Sequence, residues 1–155
     1  MHSLIKHIAK NIGISLFLII SILITTHANS DQSAEDIIKN RKALFSKNYN
    51  TAKKVQSSSS SGDFDTAKKL MLQMSENYKI LLEMFPENTK EGFKTGVTSL
   101  IWEEKDKFNS LMDKSSNDMI KLASIIETTE DVRGILKQKM WSNCKACHSK
   151  FRAPH

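Results

Sequence analysis

The chain has 155 residues, with 23 Lys and Arg against 17 Asp and Glu, a formal net charge of +6 and only two cysteines. That length suits one domain with a single core. The basic excess is spread along several segments without interleaved aromatics, which excludes a nucleic-acid-binding stripe and leaves a solvated face or a docking surface for an acidic partner.

The first 28 residues read as an export leader. Lys6 and Lys10 precede an apolar run from Ile12 to Ile24, no acidic residue occurs before Asp31, and Thr26-His27-Ala28 has small residues where a signal peptidase cuts. The 13-residue run is shorter than the roughly 20 residues that cross a bilayer as a helix; an uncleaved anchor is the alternative. Cleavage after Ala28 leaves 127 residues, Asn29 to His155, and removes two lysines, so the remainder carries +4. The expected location is the periplasm, with no membrane attachment once processed. His2, His7 and His27 leave with the leader, and His148 and His155 remain.

The rest reads as helices. Ser33 followed by Asp36 makes a start resembling a capping box. Ala34, Ile37, Ile38, Arg41, Leu44, Phe45, Tyr49, Ala52 and Val55 then recur at helical steps. The serine run Ser57 to Ser61 with Gly62 reads as a turn or flexible connector. A second helix is expected from about Asp63 to Phe85, on a stripe of Phe64, Ala67, Leu70, Met71, Met74, Tyr78, Leu81, Leu82 and Phe85. Pro86 stops it, and Pro86 to Ser99, with Gly92 and Gly96, reads as a long connection of the kind that is functional or mobile.

A third helix is expected from Trp102 to Glu127, with Phe108, Leu111, Met112, Met119, Leu122, Ala123 and Ile126 inward. Thr128 and Asp131 cap a fourth, which carries Val132, Ile135, Leu136, Met140, Trp141, Cys144, Cys147, His148 and Phe151 and is weakened by Gly134. Two short connections and one long one predict an all-α, antiparallel four-helix bundle.

Both cysteines lie in Cys144-Lys145-Ala146-Cys147-His148. C-x-x-C-H is the attachment signature of a c-type haem. On a helix, positions i, i+3 and i+4 share a face, so two thiols would meet the vinyl groups while the His148 imidazole meets iron. The pair could also be a redox couple, half a zinc site or a short disulfide. No βαβ pattern accompanies it, and few other histidines remain as zinc ligands. Export agrees with haem, since c-type attachment occurs outside the bacterial cytoplasm. Seven residues follow His148 and none is Met, so the opposite haem face must be covered by an earlier helix. Met71, Met74, Met84, Met112, Met119 and Met140 read as core filling, and His155 sits at a fraying end too near His148 to cross the ring.

Beyond the leader, the chain resembles the cytochrome c′ family. The resemblance is carried by the stretch from Cys144 to Arg152, by Asp36-Ile37-Ile38-Lys39-Asn40-Arg41-Lys42, by Leu82-Glu83-Met84-Phe85-Pro86 and by Ile101-Trp102-Glu103. It implies one covalently attached haem c with His148 as axial ligand. Arg41, and less strongly Lys42, would meet a propionate, Trp102 would pack on the haem edge, and Arg152 would stand near the proximal imidazole. The alternatives are a solvent-facing charge for Arg41 and a plain core residue for Trp102. Phe45 falls where the family has Leu or Met over the vacant iron face, and a Phe cannot ligate iron. A five-coordinate haem behind an apolar wall takes nitric oxide or carbon monoxide; the resemblance implies that nitric oxide ends on the proximal side in place of His148. The alternative is a dedicated single-electron carrier whose redox partner is unknown. No acid–base pair is placed for O–O cleavage, so no enzyme is expected. The resemblance also implies a homodimer through the first two helices.

Overall fold

Residues 32–154 are described by a computed structural model; the leader reading of 1–28 and the terminal His155 lie outside them. Helix α1 spans Ala34–Ser60. Its first turn is capped as expected: Ser33 Oγ accepts from the Asp36 amide at 3.1 Å and donates to the Asp36 carboxylate at 2.6 Å, so an otherwise unpaired donor is satisfied. The buried stripe runs through Ile38, Arg41, Asn48, Ala52, Val55 and Ser59. Tyr49, expected inward, is 57% exposed. One residue is about 100° of helix, and the stripe passes through Asn48 instead. The Tyr49 ring packs edge-on against Trp141, centroids 6.1 Å apart.

The serine run does not end the helix. α1 continues to Ser60 and buries Ser59. Termination comes at Gly62, whose φ of +80° is the left-handed conformation that glycine adopts without strain. The Asp63 amide bonds to Ser58 O at 2.9 Å and the Gly62 amide to Ser59 O at 3.3 Å, the paired closure of a Schellman motif. Serine's middling helix propensity is overridden by that cap and by packing.

Helix α2, Phe64–Leu82, begins where Asp63 Oδ1 accepts from the Thr66 amide at 3.1 Å. It stops three residues before Phe85, because Pro86 disfavours helical backbone in the residue ahead of it; Phe85 is buried all the same. The connection that follows is more ordered than its composition suggests. It contains a 3₁₀ turn, Glu87–Thr89, and then leans on the chain's end. Val97 and Arg152 form an isolated antiparallel bridge, with Thr98 N to Phe151 O at 3.0 Å and Ala153 N to Gly96 O at 3.2 Å.

The expected third helix is two pieces, α3 (Leu100–Glu103) and α4 (Lys105–Ile125), broken at Glu104. The Glu104 side chain pairs with Lys150 and, at 3.8 Å, with Lys107. The fourth is also interrupted: α5 (Val132–Leu136), a π-turn over Lys137–Trp141, then α6 (Ser142–Phe151). No sequence period announced that turn.

α2 packs chiefly on α4 and α1, while the π-turn and α6 pack on α4. The result is the expected all-α four-helix bundle. Met71, Met74, Leu81, Phe108, Met112, Met119, Leu122 and Met140 fill its core, each contributing about 1.5–3 kcal/mol by leaving water. Polar pairs also cross it: Ser75 with Ser116 at 2.8 Å and Asn77 with Asn48 at 2.7 Å.

Gly134 has a purpose that propensity hides. Its amide donates to Asp131 Oδ1 at 2.8 Å, and a Cβ there would overlap Asp131 Oδ2. Gly134→Ala should therefore gain little in urea unfolding, because a lost cap of about 1 kcal/mol offsets a propensity gain of about 1 kcal/mol. In an Asp131→Ala background the same change should recover that gain. Equal stabilisation in both backgrounds would contradict the cap.

Candidate haem site

The ten residues of α6 place Cys144, Cys147 and His148 on one face. Both cysteines are free thiols and half-buried. Burial pushes both thiols up, Cys147 to about 11, so they are neutral near pH 7. Burial, followed by the two cysteine sulfurs, raises the phenol of Tyr78, on α2, far above its ordinary value. His148 is exposed; partial burial, then the charge of Arg152, lowers its pKa. A neutral imidazole keeps the lone pair that a metal requires.

The far end of α6 is anchored on both sides. Thr98 Oγ1 donates to Lys150 O at 3.1 Å, and the Lys150 ammonium pairs with Glu104. The Phe151 ring packs edge-on against Phe108 at 5.4 Å between centroids, and Phe108 meets Phe85 at 4.8 Å. Phe85 in turn touches Phe45 at 6.4 Å and Trp102 at 6.1 Å. One aromatic column thus links α6 to Phe45 on α1. Trp102 is half-buried and donates from Nε1 to Phe85 O at 3.1 Å.

Arg41 is 1% exposed, so it is not a solvent-facing charge. Its guanidinium donates to Met84 O at 3.1 Å, to Thr89 Oγ1 at 2.8 Å, to Thr89 O at 3.2 Å and to Thr95 Oγ1, and lies 4.5 Å from the Phe85 ring centre. All four acceptors are neutral, and burial pulls the pKa down to about 10, which still leaves it charged at neutral pH. Lys42, one residue on, is exposed and donates to Lys94 O at 3.0 Å. Arg152 is exposed beside His148. Thr89, Thr95 and Tyr78 had not been read as site residues. The threonines lie 48 and 54 residues from Arg41, beyond any local pattern, and Tyr78 sits unmarked in an apolar stripe.

These groups suit a covalent haem. Two unpaired thiols and a neutral imidazole share a face, and Arg41 Nε is a buried N–H without an acceptor, which a propionate carboxylate would satisfy.

A family model described as Cytochrome C′ matches residues 36–152. A cytochrome c′ of Rhodopseudomonas palustris is 30% identical over 122 residues, covering 76% of this chain and 82% of the relative. One of Rhodospirillum rubrum is 36% identical over 70 residues, covering 44% and 48%. Among solved structures, cytochrome c′ from Rubrivivax gelatinosus aligns with a TM-score of 0.67 at 23% identity over 79% of this chain and 98% of that one. Cytochrome c′ from Rhodopseudomonas palustris aligns at 0.65 and 28% identity over the same shares.

Arg41→Leu should destabilise the protein by roughly 2–4 kcal/mol and speed proteolytic cutting in the 86–99 connection. Arg41→Lys should not rescue it, since an ammonium cannot serve four acceptors in a planar fork. Wild-type cutting rates in the leucine variant would contradict this account of the loop.

Proposed function

Because the chain belongs to the cytochrome c′ family and is a c-type cytochrome with a single covalently attached haem c, we propose that it binds small neutral diatomic gases, nitric oxide and carbon monoxide, at a five-coordinate haem. Cys144 and Cys147 form the thioether links and His148 is the sole protein ligand to iron. Held that way, the iron offers an open coordination position.

The observation that carries the reading is Phe45. It is half-buried and packed on Phe85, so the wall assigned to it presents carbon and no hydrogen-bond donor. Such a wall disfavours ligands that need polar stabilisation and admits neutral diatomics. Met71, Met74, Met112, Met119 and Met140 are committed to the core, which supports leaving the sixth position without sulfur. Arg41 and Lys42 would face the propionates, Trp102 the haem edge and Arg152 the proximal imidazole. The role is binding and carrying rather than catalysis.

The same proposal makes residues 1–28 an export leader and 29–155 a periplasmic haem domain. The exposed side chains Leu72 and Ile80 on α2 support a homodimer through the first two helices.

An optical spectrum of the purified ferrous protein, with and without nitric oxide, tests the reading. A high-spin spectrum that changes on adding the gas is expected; a low-spin, six-coordinate spectrum unmoved by gas would favour a dedicated electron carrier. Phe45→Ala should speed carbon monoxide binding about tenfold or more, as removing a buried aromatic opens space beside the metal. An unchanged rate would remove Phe45 from the wall.

A further inference from the structure

The π-turn closes through the Ser142 amide to Lys137 O, five residues back. It takes up one residue more than an α-turn. At 3.6 residues per turn, that rotates everything after it by about 100° relative to α5. The face on which Cys144, Cys147 and His148 stand is therefore set by whether this turn forms.

The turn is held by side chains. Ser142 Oγ donates to Gln138 O, and Asn143 Nδ2 donates to Lys139 O at 2.6 Å; both carbonyls lie four residues back, on the stretch where α-helical pairing is interrupted. Asn143 is 5% exposed and reaches across to α4. Its Nδ2 also donates to Asp118 Oδ2 at 3.0 Å, and its Oδ1 accepts from Lys114 Nζ at 2.9 Å. The Asp118 carboxylate is buried, paired with Lys114 one turn earlier and lying 3.8 Å from Lys139 Nζ. Burial alone would raise its pKa; hydrogen bonds from Lys114 and Asn143 outweigh that and hold it below the usual carboxylate range. A buried charge among apolar helices is a poor source of stability. This one is shared between the Lys114 and Lys139 ammoniums and the carboxamide that adjoins the first haem cysteine.

We propose that Asp118 and Asn143 form a clamp that fixes the π-turn and so the rotation of α6, making them positioning residues for both thiols and the axial imidazole. The proposal rests on the haem reading of Cys144, Cys147 and His148. It assigns a role to two polar residues that touch neither thiol chemistry nor iron.

The test uses holoprotein from an export-competent host. Asn143→Leu keeps the branched skeleton and removes the hydrogen bonds, Asp118→Asn keeps the shape and removes the charge, and Ser75→Ala disrupts a buried polar pair elsewhere. Amide exchange in 137–143 should quicken about tenfold in the first two variants and not in the third. Pyridine haemochrome bands should show a several-fold rise in singly attached haem, and ferric electron paramagnetic resonance should broaden, in the clamp variants only. If Asn143→Leu fails to accumulate, Asp118→Asn carries the same comparison. Clamp variants with wild-type exchange, double attachment and unaltered resonance, merely melting earlier, would overturn the proposal. Wild-type protein lacking covalent haem would instead overturn the haem reading, while the exchange measurement still judges the hold of the clamp on the turn.

Discussion

Two thiols and one imidazole stand within five residues of each other on a ten-residue helix, so the site is only as well placed as that helix. A helix this short has little stability of its own, and its position comes from what grips its ends. At the start are the π-turn and the polar contacts of Asn143 with α4. At the finish, the backbone of Gly96 and Thr98 bonds to Ala153 and Phe151, and Lys150 pairs with Glu104. The break between α3 and α4 sits at that same glutamate, so the interruption of one helix supplies an anchor for another.

The long connection is drawn into the site by Arg41. Taking a guanidinium out of water costs several kcal/mol, and hydrogen bonds to neutral oxygens return about 1.5–3 kcal/mol each. The lowered pKa, near 10, shows that desolvation wins on charge. The side chain is held nonetheless, because Thr89, Thr95 and Met84 would otherwise lose their donor. A charge that is solvated by the loop, stacked on Phe85 and left with Nε unsatisfied is one that a carboxylate of the cofactor would complete. In the proposed reading, haem attachment and loop closure are energetically linked through this residue.

Much of this was legible in the residues themselves. The caps at Ser33 and Asp131 are local chemistry, visible in a few consecutive positions, and both form, whereas Thr128, expected to share the second, bonds back to Ile125 O. The apolar stripes of the second and third helices recur at helical spacing and bury largely as expected. What escaped notice depends on distant partners. The serine run is helical because Gly62 two positions beyond Ser60 completes a better cap than any serine. Arg41 finds its acceptors some fifty residues away. The π-turn leaves Leu136, Met140 and Phe151 buried, so the apolar pattern reads the same with or without it. Asp118, a charged residue buried on α4 beside Ser115 and Ser116, is where a polar partner is required.

The central claim is a haem fixed through Cys144 and Cys147, and intact mass after acid extraction of haem tests it most directly. Protein matured in an export-competent host should retain one porphyrin mass, keep it as a weaker single attachment when either cysteine is changed to serine, and lose it when both are. Full release of porphyrin from the unaltered chain would contradict the account.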